Sequence, residues 1–349
     1  MKYTMNEQNG YLEIICEKPV EIQDCCYDEK RDEYVIAVKH YKGKNYSVEY
    51  IVVNREGKNV KNLLEKQGVN PRFVLAPDKS LWIGMSSICT KKDGEIVLPL
   101  YERERVTKEI IKADVGVNYD FFWNGCHWGY VQDMWGDKPD KLLKYEFDKN
   151  ELYKTRKTMK LEGQFGATPY VQDDVLYLCK RDFDEGIVRL FKMNTPEEIE
   201  VFGTSATVGG FTWCYLVCVD GGECVVIGVE ENEIYRLRIS LNGELLEKKC
   251  IFTLDDTMFY SIMDFEVTKD GNVDFSYVSE HQCGSIRIRK DVVEEIFKYK
   301  EEKLYCRNKE IASECKMAFH IMSDGTNCWH LGTNISATGS TCKTIYVSK

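Results

Sequence analysis

The chain has 349 residues, of which 43% are hydrophobic and 12% aromatic, with 21 Tyr and 15 Phe; that is ample strand-favouring apolar material for a core and excludes a disordered chain. A formal net charge of -10 and a sequence pI of about 5.3 disfavour a broad phosphate-neutralising surface of the kind that drives non-specific nucleic-acid binding and leave room only for a local basic patch. No run of about 18 apolar residues occurs and residues 1–10 lack the apolar centre of a signal peptide, so a soluble cytoplasmic protein without membrane contact is expected.

In chain order the sequence repeats one unit: a short strand, a turn carrying Asp, Asn or Gly, and an aromatic or β-branched residue that opens a second strand. The unit occurs at residues 27–34, 77–82, 123–128, 172–177, 220–226, 270–275 and 324–329. Its opening residues are Tyr34, Trp82, Trp128, Tyr177, Val226, Phe275 and Trp329, separated by 48, 46, 49, 49, 49 and 54 residues. The interval from Trp329 through the chain ends to Tyr34 is again 54. A period near 50 is what four short strands and their turns require. The spacing therefore predicts an all-β fold, one seven-bladed β-propeller of four-stranded antiparallel blades over residues 1–349, with nothing left for a second domain.

Each unit is followed by a second hairpin signal. Alternation on both sides of Asn242-Gly243 at 234–247 is the strongest, with similar patterns at 50–58, 145–150 and 190–195. Residues 343–349 leave the last blade one strand short, while 11–16 is a strand without a partner. The N-terminal strand is therefore expected to close the last blade, which removes an exposed sheet edge. Residues 291–300 read as either strand or helix. The fifteen Cys are odd in number and sit in a chain without an export signal, so free thiols are expected, with Cys214 and Cys218 packing as small hydrophobes.

The run Pro77-Asp78-Lys79-Ser80-Leu81-Trp82-Ile83-Gly84 resembles the propeller repeat of bacterial two-component sensor ectodomains. Asp270-Gly271-Asn272-Val273-Asp274-Phe275 is similar to repeats of the streptogramin-lyase-like propellers, except that Asp274 stands where those repeats commonly carry Trp. Each resemblance covers one repeat, implies the propeller fold, and carries over no catalytic residue.

In a propeller the connections between second and third strands surround one mouth of the central channel. Here those loops are expected to collect His40, Tyr41, Asp133, Trp135, Arg181, Asp182, Glu230, Glu280, His281 and Asn334 as ligand-binding candidates, a set of mixed charge with aromatic walls. Glu280-His281-Gln282-Cys283 groups a carboxylate, an imidazole and a thiol, residue types that act as general base or metal ligand. Adjacent residues do not face one another and no paired ligand spacing occurs elsewhere, so no metal is expected. The aromatic run 121–130 is expected to pack between blades, whereas Trp135 in its polar, Gly-containing loop suits sugar or peptide contact. No Gly-rich phosphate loop, Gly-x-Ser-x-Gly elbow or His-Glu-x-x-His helix occurs, so no cofactor is expected. The resulting expectation is a non-catalytic recognition or scaffold propeller that binds a protein, a peptide or a polar small molecule at the mouth. The alternative is a hydrolase or lyase acting there on a carbohydrate or polar small molecule, with Asp133, Asp182, Glu230, Glu280 and His281 as its acids and bases.

Overall fold

The computed structural model describes residues 3–42, 45–54, 60–67, 71–75, 81–85, 90–92, 95–102, 110–112, 117–131, 141–146, 154–160, 168–182, 185–195, 200–201, 206–313, 317–334 and 343–348. Every regular element among them is a strand, and no helix is long and apolar enough to cross a membrane.

The chain opens with the hairpin β1 (Tyr3–Gln8) and β2 (Tyr11–Cys16), followed by a meander of β3 (Glu21–Asp28), β4 (Glu33–Lys42), β5 (Asn45–Asn54) and β6 (Val60–Gln67). The antiparallel pair β7 (Pro71–Leu75) and β8 (Leu81–Met85) comes next. After it lie β9 (Thr90–Lys92), β10 (Glu95–Glu102) and β11 (Ile110–Lys112), with β10 paired to both of its neighbours. A second meander contains β12 (Val117–Trp123), β13 (Cys126–Val131), β14 (Lys141–Glu146) and β15 (Lys154–Lys160). In the next sheet β16 (Thr168–Gln172) and β17 (Val175–Asp182) precede β18 (Ile187–Met193), which pairs with two short strands, β19 (Glu200–Val201) and β20 (Ala206–Thr207). A four-stranded sheet holds β21 (Trp213–Asp220), β22 (Glu223–Glu230), β23 (Glu233–Ser240) and β24 (Leu245–Thr253). A six-stranded one holds β25 (Phe259–Val267), β26 (Val273–Ser279), β27 (Gln282–Arg289), β28 (Val292–Lys300), β29 (Lys303–Cys306) and β30 (Lys309–Ser313). The chain ends in β31 (Met317–Ser323), β32 (Cys328–Asn334) and β33 (Thr344–Ser348).

The repeated turn of the sequence is the link between the first and second strands of a sheet. It joins β3 to β4, β12 to β13, β16 to β17, β21 to β22, β25 to β26 and β31 to β32; the turn at 76–80 lies outside the described residues, but its flanks pair as β7 and β8. Asn124 and Gly125 both have positive φ, 51° and 63°, the pair of left-handed conformations that matches a two-residue hairpin to the twist of its strands. Residues 291–300, open to a helical reading, lie along β28, which pairs with β27 and buries Ile296 and Phe297. Cross-strand pairing decides the conformation there.

Two compact units divide the chain, Met1–Ile88 with Tyr101–Thr107 and Phe259–Lys349 in one, Cys89–Leu100 with Lys108–Met258 in the other. In the first, Ile14, Tyr34, Ile36, Ile51, Trp329, Leu331, Ile345 and Val347 share one core. The repeat residues Tyr34 and Trp329 meet there with ring centroids 4.3 Å apart, so the marker read from the sequence is the residue that packs one sheet on its neighbour. In the second, Trp123, Trp128, Tyr130, Leu142, Leu176 and Leu178 form one core, and Cys179, Val188, Phe211, Cys214, Val226 and Leu237 belong to another.

The terminal sheet runs β1-β2-β33-β32-β31, with Leu12 opposite Val347 and Ile15 opposite Thr344. The N-terminal strand thus pairs with the last strand, and β1 adds a fifth. The sheets are not uniformly four-stranded, because β1 and the hairpin β29–β30 extend two of them. At β29–β30 two turns with consecutive positive φ, Glu301-Glu302 and Arg307-Asn308, reverse the chain twice more in the same plane.

Candidate functional site

Sequence reasoning places ten candidates in second-to-third connections, and the structure moves most of them into the strands that flank those connections. His40 and Tyr41 lie in β4, Arg181 and Asp182 end β17, Glu230 ends β22 and Asn334 ends β32. The hairpins are tight: Glu230 faces Glu233 across a turn of Glu231 and Asn232 alone. His40 is buried, with Nε2 3.9 Å from Glu49 Oε1, and Glu49 Oε2 also accepts a hydrogen bond from the Tyr3 hydroxyl. Arg181 Nη1 donates to the Phe211 carbonyl at 3.3 Å. Glu230 lies 3.5 Å from Lys248 Nζ, which donates to the Val208 carbonyl at 2.9 Å and sits over the Phe211 and Tyr235 rings. Glu280 and His281 occupy the bend between β26 and β27, with side chains 43% and 64% exposed and 3.9 Å apart. Asp133 and Trp135 lie outside the described residues.

A second polar constellation, which the sequence reading missed, is built on the first strands of the sheets in the first unit. Each of these strands is a sheet edge, so its outward backbone groups have no ladder partner. The register of β25 breaks between Ile262 and Phe265, and that of β3 between Ile22 and Asp24. At the first break the Asp264 amide donates to Ser276 Oγ (3.2 Å), and the Asp264 carboxylate accepts the Ile321 amide of β31 at 3.1 Å. At the second, Asp24 accepts the Phe73 amide of β7 at 2.8 Å. The bulge re-aims each carboxylate sideways onto the neighbouring edge. In the other unit Gln172 does the same, accepting from the Val219 amide at 3.1 Å and donating to its carbonyl at 2.7 Å. Asp264 also lies 3.3 Å from His320 Nδ1.

Behind Asp264 lies a buried network. Asp274 Oδ1 accepts from Arg287 Nε and from His330 Nε2, both at 2.6 Å, and Arg287 Nη2 donates to the Cys328 carbonyl at 2.7 Å. Burial pushes the Asp274 carboxyl up, but the His330 hydrogen bond and the Arg287 charge outweigh it and hold the group below the usual carboxylate range. Burial lowers His330, which therefore donates as neutral imidazole. Glu266, on β25, is different. Burial, reinforced by the charges of Asp264 and Asp274, pushes its carboxyl up to about 7, so it exchanges a proton near neutrality. The sequence signal is present in part: Asp274 is the residue that breaks the repeat pattern, and Asp264 and Glu266 are acids in a strand that is apolar or aromatic at every other position but Ser261.

No protein-family model matches the chain, and no curated protein is similar to it in sequence. Solved structures are similar in fold. An oligogalacturonate lyase from Vibrio parahaemolyticus matches with a TM-score of 0.57 at 10% identity, over 100% of this chain and 97% of its own. The β-propeller domain of the Trilobed protease from Pyrococcus furiosus matches with a TM-score of 0.55 at 10% identity, over 96% and 94%. The fold is a β-propeller. An acylaminoacyl peptidase from Pyrococcus horikoshii matches with a TM-score of 0.50 at 11% identity, and the chain spans about half of its length, 49%, while 90% of the chain is covered. At such identities the likeness concerns the propeller fold alone.

Proposed function

We propose that residues 1–349 form one seven-bladed propeller whose last blade is completed by the N-terminal strand, and that it is a cytoplasmic, non-catalytic recognition module. It binds a protein or peptide through the second-to-third connections, where the exposed contact is made by Glu280 and His281. The observation that carries this reading is how the mouth candidates are used: Glu230 is held by Lys248, Arg181 by the Phe211 carbonyl, and His40 is buried against Glu49. Groups engaged in this way stiffen the connections instead of moving protons, and rigid connections with a few exposed polar groups suit recognition. The near-regular spacing of the seven turns supports the blade number. The test is a peptide-display screen on the immobilised full chain. Enriched peptides should bind at least about tenfold more weakly to a Glu280→Ala/His281→Ala variant, and a screen without enrichment, or enrichment indifferent to that variant, sinks the reading.

One observation favours a second reading, a hydrolase or lyase acting on a carbohydrate or polar small molecule. Glu266 carries a carboxyl pushed up to about 7, the value a general acid needs at neutral pH. Turnover of a panel of acidic and neutral oligosaccharides that vanishes in Glu266→Gln would support it; absence of turnover across the panel would remove it.

A further inference from the structure

We propose that the hairpin β29–β30 is a latch that fastens the two terminal strands to each other through the guanidinium of Arg307. The ladder between β2 and β33 consists of four residue pairs, from Leu12 opposite Val347 to Ile15 opposite Thr344, and β33 is itself only five residues long. Such a seam has few backbone bonds to resist fraying. At its end three chain segments meet in one polar knot. Arg307 Nη1 donates to the Gly10 carbonyl at 2.8 Å and to Ser348 Oγ at 2.7 Å, and Ser348 Oγ donates to the same Gly10 carbonyl at 3.0 Å. Arg307 Nε donates to Glu294 Oε1 at 2.8 Å, which ties the knot back to β28.

The local backbone is shaped for this. Arg307 and Asn308 both take positive φ, 46° and 66°, in the turn between β29 and β30, and Gly10 has φ 96°, a conformation that a residue with Cβ adopts only under strain. Beneath the knot, Leu304, Cys306 and Ile311 of the hairpin share a core with Phe319, Tyr11 and Tyr346 of the terminal sheet. The hairpin therefore buries apolar surface against both ends of the chain and places one planar, multi-donor group across them. A guanidinium reaches a carboxylate, a carbonyl and a hydroxyl at once because its donors point along several fixed directions; a lysine ammonium at the end of a flexible stem does not span that set.

The test is amide hydrogen exchange of the full chain, read strand by strand, for wild type, Arg307→Ala and Arg307→Lys. In Arg307→Ala the amides of β2 and β33 should exchange at least about tenfold faster, while those of β4 and β5 keep their wild-type rates, because the loss is local opening of the seam. Arg307→Lys should fall between the two. The latch is overturned if β2 and β33 exchange as in wild type, if every sheet loses protection to the same degree, or if Arg307→Lys is indistinguishable from wild type, in which case charge and not the bridging geometry is what matters.

Discussion

Glu266 and Asp274 stand opposite each other on β25 and β26 and have opposite tendencies. Asp274 is ionised and accepts two donors at 2.6 Å on Oδ1, whereas Glu266 is pushed up to about 7 by burial and by its acidic neighbours. Because the folded state holds the Glu266 proton more tightly than the unfolded chain does, stability from this group is fully present below about pH 4.5 and is lost as pH rises through about 7. Glu266→Gln should therefore unfold at a higher denaturant concentration than wild type at pH 8, by about 1–3 kcal/mol after allowing for its partial exposure, and should match it at pH 4.5. A variant equally stable at both pH values relative to wild type would show that the carboxyl is not strained. Asp274→Ala is expected to cost about 3–5 kcal/mol, because it leaves the Arg287 charge and the His330 imidazole buried without their shared acceptor. Urea titration at neutral pH measures it, and a loss under 1 kcal/mol would mean that the pocket rehydrates freely.

The unit that sequence reasoning sees well is the hairpin. The two-residue turns within 123–128 and 220–226 carry Asn124-Gly125 and Gly221-Gly222 where the reversal needs left-handed backbone, the longer turn before β26 uses Gly271 in the same way, and the residue that opens the second strand, such as Tyr34, Trp128, Phe275 or Trp329, goes into the core. Both facts are local, so a single chain displays them. The bulges of β3 and β25 are not local. Whether Asp24 and Asp264 point to solvent or to a neighbouring edge depends on a register fixed by another sheet, and alternation alone cannot supply it. The same limit explains His40: its side of β4 is set by Glu49 on β5, so a residue assigned to a loop ends up buried. Asp264→Ala provides the element-level check. It removes the acceptor of the Ile321 amide and should destabilise the chain by about 1–3 kcal/mol, with faster exchange at Ile321 than in strands away from the bulge. Unchanged exchange there would mean that the edge amide finds solvent readily.

At the scale of the whole chain, none of the twelve described cysteines forms a disulfide, and Cys250 is the exposed one. Burial pushes the thiols of Cys214, Cys224 and Cys283 up to about 12, so these are packing groups with little thiolate at neutral pH. Among the described cysteines, brief alkylation of the native chain should label Cys250 first and the others only after unfolding, as read by peptide mass mapping; early labelling of Cys214 or Cys224 would contradict the packing. In β2, Ile14 and Cys16 are fully buried with Trp329, Ile345 and Val347, whereas β1 is mostly exposed apart from Tyr3 and Met5. Each buried aliphatic side chain contributes about 1.5–3 kcal/mol, and the loss of β2 would also bare the backbone edge of β33 to other chains. Deleting residues 1–8 should therefore cost about 1–2 kcal/mol, the price of the Tyr3 contact with Glu49 and one outer strand, and leave cooperative unfolding intact. Deleting residues 1–16 should instead give a chain that aggregates or melts broadly, and a synthetic peptide of residues 1–16 added in trans should restore cooperative unfolding by filling the vacated place beside β33. If the longer deletion melts within a few degrees of the full chain, the pairing of the two termini contributes little to the fold, and both the proposed latch and the proposed closure lose their purpose.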